Sequence, residues 1–146
     1  MMKIESILRA KGRSVTTIQP WSTIADAVDR LHGPPRIGAL VVTGVPRGFT
    51  GMITERDVIR GLKMHGPALL EQRVSTLMTH HVPTCSPDDT VATVMMQMTR
   101  TRYRHVPVLD HGELAGLISI GDVVRSRLDE MELETGVLRD LYVARH

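Results

Sequence analysis

The sequence predicts an α/β fold in which two βαββα units pack with pseudo-two-fold symmetry into one module. Three observations predict it. Four blocks of the chain recur in the same order at offsets of 65 to 70 positions, and fixed-period self-similarity marks a repeat architecture. Within each copy the apolar period switches between that of a strand and that of a helix. The chain has 146 residues, room for one domain or two small ones, with 42% apolar and 23% charged residues, a globular balance. Aromatics are only 3%, so the core is expected from Val, Ile, Leu, Ala and nine Met.

Each element follows in order. The leading segment has Ile4, Ile7 and Leu8 on one helical face, and Val74, Leu77 and Met78 repeat that face 70 positions later. A short β segment comes next, 14–18 in copy one and 81–85 in copy two. Turns at Pro20 and Pro87 start helices. Ile24, Ala27, Val28 and Leu31 keep the i, i+3, i+4, i+7 spacing of a buried face, and Val91, Val94, Met95 and Met98 repeat it 67 positions on. Two strands follow, 39–43 and 49–54, the first an apolar run suited to burial on both faces. Copy two places them at 105–109 and 114–119, joined through Asp110-His111-Gly112. A second helix closes each copy, from Asp57 and from Asp122.

A sheet of about three strands with two helices cannot bury both faces in so short a unit. The copies are therefore expected to need each other: a first domain over 5–70, a second over 71–132 and a helical tail over 133–146. Leu133, Val137, Leu138 and Leu141 make that tail a candidate oligomer contact.

Composition narrows function. No apolar run approaches the roughly 20 residues of a membrane span, and the charged start lacks a signal-peptide core, so a soluble, cytoplasmic protein is expected. The lone Cys85 precludes an intramolecular disulfide and a multi-cysteine zinc site. His80-His81 has no Cys or carboxylate at ligand spacing, so no metal is expected. A net charge of +2 with pI near 9.0 and few aromatics make nucleic acid an unlikely partner. No phosphate-loop motif and no nucleophile–base pair is present, so no enzyme is expected.

The chemistry-bearing pattern is Gly-x-x-[Thr/Ser]-x-x-Asp, as Gly51, Thr54 and Asp57 and again as Gly116, Ser119 and Asp122. It sits where a strand runs into a helix. Glycine allows close approach of a partner or backbone, and the helix N-terminus favours anions. The carboxylate suits a ribose diol, and the hydroxyl with helix amides suits phosphate. Arg56 adds a charge-assisted contact in copy one, where copy two has Gly121. The same spacing equally fits a capping box, which serves stability alone.

Jointly, the blocks at 36–42, 51–57, 74–79, 104–110 and 116–122 resemble a tandem pair of CBS domains, the cystathionine-β-synthase-type regulatory module, over roughly Glu5 to Met131. The resemblance implies two clefts related by a pseudo-dyad, binding AMP, ADP, ATP, NAD(H) or S-adenosylmethionine, and a homodimer of two modules. Carried over by position, one cleft combines Asp122, Ser119 and Gly121 with Arg104 and His105, its base side formed by Ser14, Val15, Thr16, Ile37 and Gly38. The other combines Asp57, Thr54 and Arg56 with Gly38 and Ala39, its base side formed by His81, Val82, Pro83 and Tyr103. The function implied is a non-catalytic sensor of adenosine-containing ligands, acting on an effector carried by another polypeptide. A dimerisation module with empty clefts, or a nucleic-acid binder, are the alternatives.

Overall fold

The computed structural model describes residues 1–145, without the side chains of Leu138, Arg139 and Arg145. His146 of the expected tail and the apolar side chain of Leu138 lie outside the described residues. The elements run α1 (Ile4–Lys11), β1 (Thr17–Ile18), α2 (Ile24–His32), β2 (Ala39–Val42), β3 (Gly51–Thr54), α3 (Glu55–His65), a 3-10 turn (Gly66–Glu71), α4 (Val74–Leu77), α5 (Val91–Thr101), β4 (His105–Asp110), β5 (Glu113–Ser119) and α6 (Ile120–Arg145).

In copy one, β1 pairs parallel with β2 and β2 antiparallel with β3, with Ile18 opposite Val42 and Val42 opposite Gly51. Copy two repeats this with β4 antiparallel to β5. Both first strands are shorter than expected: β1 covers only Thr17–Ile18 of 14–18, and that of copy two less still of 81–85. Only Cys85 pairs, through a single parallel bridge to Val108, at the position equivalent to Ile18 and Val42. The bond that Val41 N makes to Thr16 O in copy one has no counterpart, because Pro107 stands in the place of Val41 and has no N–H to donate. The β4–β5 hairpin turns through His111 at φ 51° and Gly112 at φ 81°, the left-handed pair that a tight two-residue turn needs.

The two-fold relation is visible bond by bond where the copies join. Val74 N donates to Ser22 O and Ser75 N to Pro20 O, while Ile24 N donates to Gln72 O. At the equivalent places Ile4 N donates to Asp89 O, Glu5 N to Pro87 O and Val91 N to Met2 O.

These bonds cross the leading helices over. Ile4, Ile7 and Leu8 of α1 pack into the core of copy two, with Cys85, Val91, Val94, Val106, Val108 and Ile118. Val74 and Leu77 of α4 pack into the core of copy one, with Ile18, Ile24, Leu31, Leu40, Val42 and Ile53. Each core is completed by a helix adjoining the other copy's strands, which is why neither half closes alone.

Both strand-to-helix glycines are crowded by protein. A Cβ on Gly51 would stand 2.6 Å from Thr79 O, and one on Gly116 would overlap the Leu8 side chain. Their small size therefore serves the contact between leading segment and strand. No helix of the described residues is long and apolar enough to cross a membrane.

Candidate functional site

Both recurring Asp residues stand at the third position of a helix, because Thr54 and Ser119 are the caps. Asp57 N donates to Thr54 Oγ1 at 3.2 Å and Thr54 N donates to Asp57 Oδ2 at 2.9 Å. In copy two Asp122 N donates to Ser119 Oγ at 3.1 Å and Ser119 N to Asp122 Oδ2 at 2.9 Å. These are reciprocal capping boxes. The first amide of each helix is also taken, by Gly38 O at 3.3 Å and by Arg104 O at 2.8 Å.

The two carboxylates then differ. Asp57 is buried; its Oδ1 accepts from Arg60 at 3.0 Å and Thr79 at 3.3 Å. Asp122 is half-buried and faces Lys11, whose Nζ lies 2.7 Å from Oδ2 and also donates to Leu117 O at 2.9 Å. Burial alone would raise the Asp122 carboxyl. The Lys11 hydrogen bond and charge, with the Ser119 amide, outweigh it and hold it below its ordinary value.

Lys11 is among the residues that sequence reasoning missed. As the last residue of α1 it reads as a cation complementing a helix C-terminus. Only the crossing of α1 onto copy two brings it to Asp122, and no local signal could have found it.

A cleft of about 310 Å³ opens beside this pair. From copy one it is lined by Ser14, Val15, Thr16, Ile37 and Gly38, and from copy two by His105 and Ser119, all expected there. Lys11, Arg36, Ala39 and Leu117 join them. Asp122 and Gly121, assigned to this cleft by position, are not on its wall; Asp122 is tied to it through Lys11, and Gly121 is exposed at the start of α6.

Arg104, assigned by position to the same cleft, lines a second and larger one. That cleft, of about 770 Å³, lies between the starts of α3 and α6 and holds Gly38, Thr54 and Arg56 with Arg36, Arg102 and Arg104. Glu55, His105, Met52, Ile59 and Ile120 complete it. Of the residues assigned to the second cleft, Ala39 lines the first one instead. Asp57, His81, Val82, Pro83 and Tyr103 are not on the second cleft's wall. Asp57 is consumed by its cap, Arg60 and Thr79.

Arg36, Gly38 and His105 line both clefts, and Gly38 and His105 form the partition between them. They touch at the pseudo-dyad, where a Cβ on Gly38 would come within 2.9 Å of His105 Cε1. Burial first, then the Lys11 ammonium, pushes the His105 imidazole below its ordinary value, against Asp122 and Glu55. Arg36 makes a two-pronged ion pair with Glu55, at 3.0 and 2.9 Å, on the rim. The equivalent positions of copy two are Arg102 and Ile120, so no matching pair can form and the charge is lopsided. Among the described residues no cluster of His, Cys, Asp and Glu could hold a metal. The Cys85 thiol is buried and pushed up to about 12, so it is inert.

The arrangement can take an anion bearing hydroxyl groups: a carboxylate with its lysine, a capping hydroxyl, a histidine, and arginines next door. Comparison with known proteins gives it a context. The family model described as "CBS domain" matches residues 12–63 and again 74–129. The chain is 34% identical over 134 residues to the CBS domain-containing protein CBSX3, mitochondrial, of Arabidopsis thaliana, covering 87% of this chain and 65% of that one. The chain thus spans just under two thirds of that relative. Among solved structures, the CBS-domain containing protein ATU1752 from Agrobacterium tumefaciens is 43% identical with a TM-score of 0.82, covering 86% of this chain and 99% of its own. A structure described as CBSX2 in complex with AMP superposes with a TM-score of 0.75 at 20% identity, over 90% of this chain and 99% of its own. At that identity the likeness is one of fold.

Proposed function

Because this chain belongs to the CBS domain family and carries two copies of that domain in tandem, we propose that it is a non-catalytic regulatory module that binds adenosine-containing ligands in the clefts between its repeats. In this proposal it senses energy or redox state from the cytoplasm, as a homodimer, and passes the state to an effector on another polypeptide. AMP, ADP, ATP and NAD(H) are the ligand class.

The observation that carries the reading is the smaller cleft. It sets Ser119 and His105 of copy two against the segment Ser14–Thr16 of copy one, with Lys11, the partner of Asp122, on the same wall. The bonds from Lys11 and from the Ser119 amide both fall on Asp122 Oδ2, and Oδ1 is the oxygen proposed for the ribose. Lys11 and His105 are proposed for phosphate. The AMP in the structure of CBSX2 supports the choice of ligand class. A ligand can signal here only by favouring one of two module states over the other.

Isothermal titration of ligand-free protein with AMP, ATP and NADH tests the reading. Asp122→Ala is expected to weaken the ribose-bearing ligand by ~1.5–3 kcal/mol, the scale of hydrogen bonds to a charged group. Absence of heat and of thermal shift with every one of them overturns it. That result would favour a dimerisation module with empty clefts, to which the internal engagement of Asp57 already leans.

A further inference from the structure

The last helix outruns the fold. α6 has 26 residues and is therefore about 39 Å long. Val123 and Ser126 anchor its first turns as buried residues, whereas Leu128 and Met131 are 55% and 54% exposed. Val124, Leu128, Met131 and Thr135 recur at alternating steps of four and three, and Tyr142 falls on the same series one heptad after Thr135. That is the spacing of a two-stranded seam rather than of a helix lying on a core. A shallow groove of about 450 Å³ runs along it, lined by Leu128, Met131, Glu132, Thr135 and Gly136.

The charges beside the seam say what covers it. Arg125 and Glu132 flank it on one side, and Arg127 and Glu134 on the other, so each side changes sign from one heptad to the next. In a parallel pair the flanking residue of one helix meets the opposite flank of its partner five residues on. This sets Arg127 against Glu132 of the second copy, twice by symmetry. Within one chain Arg127 holds Glu130 at 2.8 Å, and the fork of its guanidinium can serve both carboxylates. An antiparallel pair centred on Leu133 would instead bring each Glu132 onto its own copy.

We propose that this seam of α6 pairs with the same seam of a second copy, as a parallel, in-register two-stranded coiled coil. It supplies the surface for the homodimer proposed above and rests on that dimer. It is independent of whether the clefts bind nucleotide.

The test is the mass of the full chain in solution by sedimentation equilibrium. Leu128→Glu and Met131→Glu each bury an unpaired carboxylate in the pair and are expected to weaken the dimer at least about 10-fold. Leu133→Glu, off the seam, is expected to leave it unchanged. Both seam positions are half-exposed in the single chain, so these variants keep the fold. Orientation is read from Met131→Cys, which faces itself only in the parallel register and should cross-link under mild oxidation, while Leu133→Cys should not. The buried Cys85 thiol does not compete. A monomeric wild type, a dimer indifferent to Met131→Glu, or equal cross-linking at 131 and 133 overturns the proposal. Titration of the monomeric variants with AMP separates the two readings, since loss of the arm leaves the clefts intact.

Discussion

The partition between the two clefts can be probed with one methyl group. A Cβ on Gly38 would lie 2.9 Å from His105 Cε1 and 3.3 Å from Nε2. Carbon atoms rest about 3.5–4.0 Å apart, so the imidazole must recede by roughly 0.6–1 Å. Overpacking of this kind costs about 1–3 kcal/mol. Gly38 does not hold the positive φ that only glycine tolerates, so alanine also stiffens the unfolded chain and returns about 0.4–1 kcal/mol. The net expectation for Gly38→Ala is a loss of about 1–2 kcal/mol, a melting point lower by roughly 3–6 °C. Because both clefts share this wall, AMP affinity should fall in the same variant. The decisive measurement is a double-mutant cycle with His105→Ala by urea denaturation. Without the ring there is nothing to displace, so Gly38→Ala should become neutral or slightly stabilising, a coupling of about 1 kcal/mol or more. An equal cost in both backgrounds would refute the reasoning.

Two further outcomes follow from the structure. His105 lies below its ordinary value chiefly through burial, so the unfolded chain takes up its proton first. Stability should decline as pH falls from about 6.5 through the folded value, and His105→Asn should flatten that limb in denaturation series between pH 7.5 and 5; an unchanged slope counts against it. Leu8 belongs to the leading helix yet is buried in the core of copy two, so Leu8→Ala, costing about 3 kcal/mol, should speed amide exchange at Val106 and Ile118. Faster exchange confined to Leu40 and Ile53 would contradict the crossed packing.

The repeat, the strand-to-helix turns and the helix faces were legible because each is written in local periodicity. Ile24, Ala27, Val28 and Leu31 mark a buried stripe; Ile24, Ala27 and Leu31 are buried, and Val28 packs against them partly buried. The destination of a stripe was not legible. Ile4, Ile7 and Leu8 announce a buried face, but only three-dimensional packing decides that they enter the second core. The same crossing hid Lys11 from the site. Residues Ser14 to Thr16 with His105 and Ser119 were placed together by position, and they line one cleft. Arg104 lines the neighbouring cleft from the bend before β4, whereas His105 next to it lines both. The first strands are shorter than their segments in both copies, two residues at Thr17–Ile18 and a single bridge at Cys85, and the further loss in copy two comes from Pro107, a partner across the sheet that the segment 81–85 does not reveal.

The crossing of the leading helices also sets the smallest piece of this protein that can exist alone. A chain cut between the 3-10 turn and α4 yields two fragments, each carrying the helix that the other's core requires and lacking its own. Neither fragment should hold a fold in isolation. Mixed together, they should complement each other into a nicked but intact module, so that the duplicated halves behave as obligate mates joined by a tether rather than as two domains in series.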